Sequence, residues 1–163
     1  MRDPFLNPFP EDDADRRAIW DMLVTRDIAA FLAADWSMVE DDFIAEGFLA
    51  VSGNKLADPD SWTLAFPTLE RYRDEWLRQA KDFASVELAE DARTAIHTAT
   101  RLEEIDIQEG TALVRKKFDG GIKLADGGFD VMQWQTLYYC RLHEGRWKIA
   151  GFTGYLPYPW KDA

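Results

Sequence analysis

His97, Asp130 and Tyr138 are the residues of this 163-residue chain whose types and settings suit acid–base chemistry. His97 lies in a stretch rich in Thr and Ile, Arg93 to Ile107, that reads as an unusually long strand. Its same-face neighbours there, two positions away, are Ala95 and Ala99. Small neighbours leave room beside an imidazole, whose ordinary pKa of about 6.5 suits proton transfer near neutral pH. The competing reading is a histidine bonded to a neighbouring side chain or facing water, because it lacks the partnered set that marks a site. Asp130, Met132, Trp134, Thr136 and Tyr138 share one face of a later strand, while Val131, Gln133, Gln135, Leu137 and Tyr139 share the other. Both faces mix apolar and polar residues, so which one turns inward stays open. With the first face inside, Asp130 stands near a pocket mouth and orients His97, and Tyr138 donates to a developing oxyanion. Trp36 and Trp134 then supply aromatic walls for a small apolar ligand. For any one of these aromatics taken singly, core filling is the favoured reading.

Other chemistries find less support. Two histidines and a single cysteine make a structural zinc cluster implausible and exclude an internal disulfide. Glu40, Asp41 and Asp42 lack the glycine and alternating oxygen ligands of a calcium loop and read as a solvated helix end, so no metal is expected. Arg115, Lys116 and Lys117 form a basic run on a strand, read as sheet surface with Glu103 and Glu104 as counter-charges. The pairs Gly120-Gly121 and Gly127-Gly128 lack the strand-to-helix setting of a phosphate loop and mark a loop or irregular hairpin tip. Cys140, mid-strand with no base nearby in sequence, reads as packing.

The elements that must position these residues fall into two halves. The first 46 residues hold no glycine and carry twelve acids against four bases; every glycine lies later in the chain. A glycine-free acidic stretch suits helices, and a glycine-punctuated one suits strands and tight turns. The first helix is expected from near Asp13 to about Ala34, with Trp20, Leu23, Val24, Ile28, Phe31 and Leu32 at helical spacing. Asp35 reads as the N-cap of a short second helix holding Trp36, Val39 and Phe43. The third follows Pro67, capped by Thr68, with Leu69, Tyr72, Trp76, Ala80 and Phe83 on one side. After Lys81 the periodicity becomes two, and hairpin turns are expected at Glu109-Gly110 and at His143 to Gly145. Helices first and strands later read as an α+β domain, helices on one face of an antiparallel sheet. Strands so long must curl, giving a cone that encloses a space.

Composition bounds the partners. The net charge of −11 and pI near 4.6 disfavour nucleic acid. The longest apolar run, Ile28 to Ala34, is far short of the ~20 residues a membrane span needs. No basic, apolar leader opens the chain, so a cytoplasmic location is expected. Leu113, Val131, Leu137, Tyr139 and Phe152 leave neither sheet face uniformly polar, which points to a homodimer with sheets face to face. Aromatic and proline-rich ends, at roughly 1–12 and 156–163 of a single domain spanning 1–163, read as extended arms lying on the body.

Ala34-Asp35-Trp36 with Asp42-Phe43 downstream, and the strand start Gly145-Arg146-Trp147-Lys148-Ile149, resemble the nuclear transport factor 2-like superfamily, specifically its SnoaL-like branch. The resemblance runs from roughly Asp13 to Leu156. It implies a cone-shaped α+β barrel: a strongly bent antiparallel sheet, three helices, a pocket between them, and dimerisation through the outer sheet face. Some members are isomerases, cyclases, dehydratases or epoxide hydrolases that use acid–base groups without metal or organic cofactor; others only bind. No catalytic set transfers. Phe48-Leu49-Ala50-Val51 has no carboxylate where an isomerase base would be sought, and no aspartate–arginine–aspartate relay aligns. Two expectations therefore stand side by side: a cofactor-free lyase or isomerase for a small hydrophobic molecule, and a non-catalytic binding or dimerisation module.

Overall fold

Asp13 opens the first helix in the computed structural model, which describes residues 2–160; the remainder of the two expected arms, residues 1 and 161–163, lies outside the described residues. Its carboxylate accepts from the Arg16 backbone N–H at 3.2 Å, satisfying one of the donors a helix start leaves free. Helix α1 (Ala14–Trp20) runs through a π-helical turn (Asp21–Arg26) into α2 (Asp27–Ala33). A π turn adds about one residue, or ~100° of rotation, to a regular helix. Ile19, Trp20, Met22, Leu23 and Val24 are accordingly all buried, a wider arc than a regular helix presents. Ala34 ends the element in a left-handed conformation, φ 49°. Asp35 does act as a cap, but the expected second helix is two single 3-10 turns, Trp36–Met38 and Glu40–Asp42.

Helix α3 (Leu69–Ala84) starts at its Thr68 cap as expected, and buries Trp76 and Ala80. Helix α4 (Ala92–Ala99) corrects the sequence reading, which had Arg93 onward as strand. Asp91 caps it through the Thr94 N–H at 2.9 Å, and Ala95, Ile96 and Ala99 form a buried stripe. Threonine-rich composition favours a strand, but a cap and small residues at helical spacing prevail where a flat surface receives them. Gly120 provides that surface: a Cβ there would sit 2.9 Å from the Ala99 Cβ. The expected loop at Gly120-Gly121 is therefore strand, with glycine chosen for close approach.

The sheet is built of β1 (Leu49–Ser52), β2 (Thr63–Phe66), β3 (Thr100–Gln108), β4 (Thr111–Lys123), β5 (Phe129–His143) and β6 (Arg146–Leu156). Its order is β2-β1-β6-β5-β4-β3. Strands β3 to β6 form an antiparallel meander, β1 pairs antiparallel with β2, and the β1–β6 pairing is the one parallel contact among these strands. Both β2 and β3 remain edges, so the curled sheet is open and not a closed barrel. This is the expected α+β cone, with the helices across the concave face and a single apolar core between the layers. Among the described residues no helix is long and apolar enough to cross a membrane.

Where the turn after α2 meets the start of β6, the buried polar groups are paired. Asp42, expected on a solvated helix end, is 1% exposed. It accepts two hydrogen bonds from Arg26, at 2.8 and 2.9 Å, and a third from Arg146. This ties the turn after α2 to the start of β6, as does Trp147, whose indole N–H donates to Asp15 at 2.9 Å.

Candidate functional site

Between α2, α3 and the inner faces of β4, β5 and β6 lies a cavity of about 600 Å³. Its walls are mainly apolar: Ile28 and Phe31 from α2, Trp76 and Phe83 from α3, Phe118 from β4, Met132 and Trp134 from β5, Phe152 from β6. Alternation places Met132, Trp134, Thr136 and Tyr138 inside, settling which face of β5 is inner. Tyr72 and Tyr138 flank the Phe152 ring, their ring centroids 4.9 and 5.6 Å from it. Neither hydroxyl has a hydrogen-bond partner among the described residues, yet no buried side-chain polar atom there is sealed off without one. Both therefore open on the cavity. Burial foremost, then the neighbouring phenols and the Asp27 charge, hold both hydroxyls well above the usual phenol range. They stay protonated as donors for an acceptor oxygen. By contrast the Tyr155 and Gln79 side chains are bonded to each other at 3.3 Å.

Asp27 is the carboxylate of this interior. Its Oδ2 accepts from Lys116 Nζ at 3.2 Å, and Lys116 also donates to the Leu23 carbonyl in the π turn. Lys116 is 0% exposed. The sequence reading of Lys116 as sheet surface is thus corrected, because the pleat turns it inward with Val114 and Phe118. Arg115 and Lys117 do face outward, pairing with Asp106 at 2.8 Å and Glu104 at 3.3 Å. A lysine buried in this way requires a partner charge, and Asp27 supplies it. Asp27 Oδ1 has no partner among the described residues and lines the cavity.

The expected site residues are dispersed. Tyr138 and Trp134 line the cavity, and Asp130 lies exposed on its rim. Eight residues of strand separate Asp130 from Tyr138, roughly 26 Å of contour, too far for one constellation. Trp36 stands behind the wall, packed on Phe43 at 5.0 Å and Trp76 at 5.2 Å. His97 does not line the cavity. On a helix and not the expected strand, it is 2% exposed and points to the N-terminal arm. Its Nδ1 donates to the Pro4 carbonyl at 3.3 Å, and its ring packs on Phe5 at 4.8 Å. Burial lowers its pKa, Arg93 and Lys116 add to that, and the bond to Pro4 opposes it. Phe152, one of the residues that left neither sheet face uniformly polar in sequence, is buried in the cavity wall. Among the described residues no group of three or more His, Cys, Asp or Glu side chains is placed to hold a metal ion.

Comparison with solved structures decides the fold. A nuclear transport factor 2-like protein of unknown function from Shewanella baltica superposes with a TM-score of 0.54 at 14% identity, over 90% of this chain and 96% of that one. Another, from Silicibacter pomeroyi, gives 0.55 at 16% identity over 89% and 98%. The chain has the nuclear transport factor 2-like fold. A third such protein, with a cystatin-like fold and from Novosphingobium aromaticivorans, gives 0.54 at 11% identity over 88% and 82%. No family model and no curated protein matches the sequence. Identity this low carries architecture and nothing of the chemistry.

Within this nuclear transport factor 2-like cone, the residues that sequence reading passed over are Asp27, Tyr72, Lys116 and Phe152. Two carried a signal. Lys116 interrupts the apolar alternation Ala112, Val114, Phe118, and Asp27 sits at the i+4 position from Leu23 and the i−4 position from Phe31 on an apolar helix face. A charge in each of two buried faces is the trace of a pair.

Proposed function

We propose that this chain, as a member of the SnoaL-like branch, holds a small, mainly apolar molecule bearing a carbonyl-type oxygen. The observation that carries the reading is the pair of protonated hydroxyls of Tyr72 and Tyr138, without hydrogen-bond partners among the described residues, in a mainly apolar cavity. An apolar body gains from leaving water, and two donors fix its oxygen at one place. In this reading Tyr138 alone of the acid–base set expected from sequence has a part, as an oxyanion donor.

Cofactor-free lyase or isomerase chemistry has its own support in Asp27, a carboxylate on the same cavity. A C–H next to the carbonyl would pass its proton to Asp27 while the electron pair moves onto the oxygen held by the two phenols. The Lys116 bond to Asp27 supports the alternative, non-catalytic binding, since it gives one of the carboxylate oxygens a structural partner. Proton exchange separates the two. A ketone that binds should exchange its α-hydrogens with D₂O, followed by NMR, at a rate Asp27→Asn lowers about 10²-fold or more. Binding without exchange leaves the binding module. Absence of binding by any carbonyl compound of a size to fill the cavity overturns both.

We also propose a cytoplasmic homodimer formed through the outer sheet face, where Val131 and Tyr139 are 55 and 42% exposed. Light scattering that gives a single 18.8 kDa species at micromolar concentration removes this.

A further inference from the structure

At the cavity mouth Lys55 stands over an aromatic wall. Its Nζ lies 5.3 Å from the centre of the Trp134 ring, which packs on Phe118 at 4.8 Å and on Tyr155 at 5.8 Å. The loop that carries Lys55 is fastened in place. Gly53 N–H donates to the Gly154 carbonyl and Lys55 N–H to the Tyr155 carbonyl, both at 2.7 Å, and the Asn54 side chain donates to the Ser61 carbonyl at 3.0 Å. Asn54 and Lys55 both adopt left-handed backbone, φ 53° and 60°. Asparagine suits that conformation; a lysine does not, and one held there under backbone restraint is an outlier that calls for a reason.

Packing does not provide it, since Lys55 is exposed. Ion pairing does not either. In a chain with thirty acidic residues, no carboxylate among the described residues lies within salt-bridge distance of Lys55. Arg78, the other cation of the lining, already binds Glu75 and Asp82. Asp130, an acid on the rim with no ion pair among the described residues, precedes Trp134 by four residues, about 13 Å of strand, so the rim is basic at one end and acidic at the other.

Resting on the cavity reading above, we infer that the ligand is an organic anion: a flat apolar body inside, and a carboxylate or sulfonate at the mouth held by Lys55 above Trp134. The body stacks along Phe118, Trp134 and Phe152, its inner oxygen meets Tyr72 and Tyr138, and Asp130 repels the anionic group from the wrong end of the rim. Specificity for the charged over the neutral form then resides in one exposed side chain.

Two fluorescent probes of matched shape test this on the full chain: 1-anilinonaphthalene-8-sulfonate, and its neutral counterpart N-phenyl-1-naphthylamine. Lys55→Gln should weaken the sulfonate about fivefold and leave the neutral probe unchanged. Lys55→Arg should retain the anion, and Lys81→Gln, on an exposed turn of α3, should alter neither probe. Added salt should narrow the difference in the wild type but not in Lys55→Gln. If the neutral probe binds and Lys55→Gln leaves the sulfonate unaffected, or weakens both alike, the anion subsite is wrong while the cavity reading stands. If neither probe binds the wild type, both fall together.

Discussion

Asp42 packs against the start of β6 and Tyr138 lines the cavity, and the chain treats their polar atoms differently. Beside β6, Asp42 accepts three hydrogen bonds from two arginines, and both its oxygens are engaged. At the cavity, Lys116 is held by Leu23 and Asp27, but Asp27 Oδ1 and the hydroxyls of Tyr72 and Tyr138 have no partners among the described residues. Leaving a donor unpaired beside apolar walls costs about 1–3 kcal/mol if nothing else satisfies it. A fold that pairs both oxygens of one buried carboxylate and leaves three polar atoms open on the cavity has built a scaffold at the first and a receptor at the second.

The sharpest way to break that comparison is through Asp27, which belongs to both categories. Asp27→Ala leaves the fully buried Lys116 without its counter-charge and should cost about 4 kcal/mol in urea unfolding. Adding Lys116→Met should recover most of that loss, because a well-packed apolar side chain replaces the stranded charge. A double variant as unstable as the single one would mean the pair is not the reason Lys116 is tolerated.

Asp42→Ala should cost less, about 2 kcal/mol, because Arg26 and Arg146 are partly exposed and can turn to water. Its effect on ligand affinity should be small, which calorimetry on a cavity ligand checks.

Tyr72→Phe and Tyr138→Phe should show the opposite pattern. Neither hydroxyl bonds to the described chain, so stability should move by less than about 0.5 kcal/mol, while affinity for a carbonyl ligand falls about tenfold. Because both phenols are held protonated, binding should persist as pH rises past the ordinary phenol value of about 10. A stability loss matching that of Asp42→Ala would show that the hydroxyls are structural.

The smallest expected effect lies outside both regions, at His97. Its pKa is lowered on folding, so the unfolded chain takes up the proton first as pH drops. Stability from this group is present above about pH 6.5 and lost as pH falls through the folded value. His97→Phe should flatten that part of the urea midpoint against pH, and an unchanged slope would show that His97 is not its source.

Much of this architecture was legible in the residues. Asp13, Asp35 and Thr68 cap the elements they were expected to open, the turns at Glu109-Gly110 and His143 to Gly145 fall where glycine marks them, and Trp134 and Tyr138 share the inner face of one strand. These features are local, since a cap or a turn is decided within four residues and a strand face by its alternation. What failed was long-range. Ala92–Ala99 became helix because Gly120, some twenty residues on, leaves it a flat seat. His97 turned away from the cavity with that helix, and the N-terminal arm closed over it.

By itself, then, the sequence determined the class of fold, the boundaries set by caps and turns, and an aromatic interior wide enough to keep a space. Only the tertiary structure decided which charges enter that space. Asp27 and Lys116 lie 89 residues apart in the chain, and nothing local distinguishes either from a surface charge with certainty. Their meeting depends on how far the π turn rotates α2 and where the sheet curls β4 beneath it. Burial energy selects apolar residues by type and can be read residue by residue, whereas an ion pair exists only where two surfaces converge.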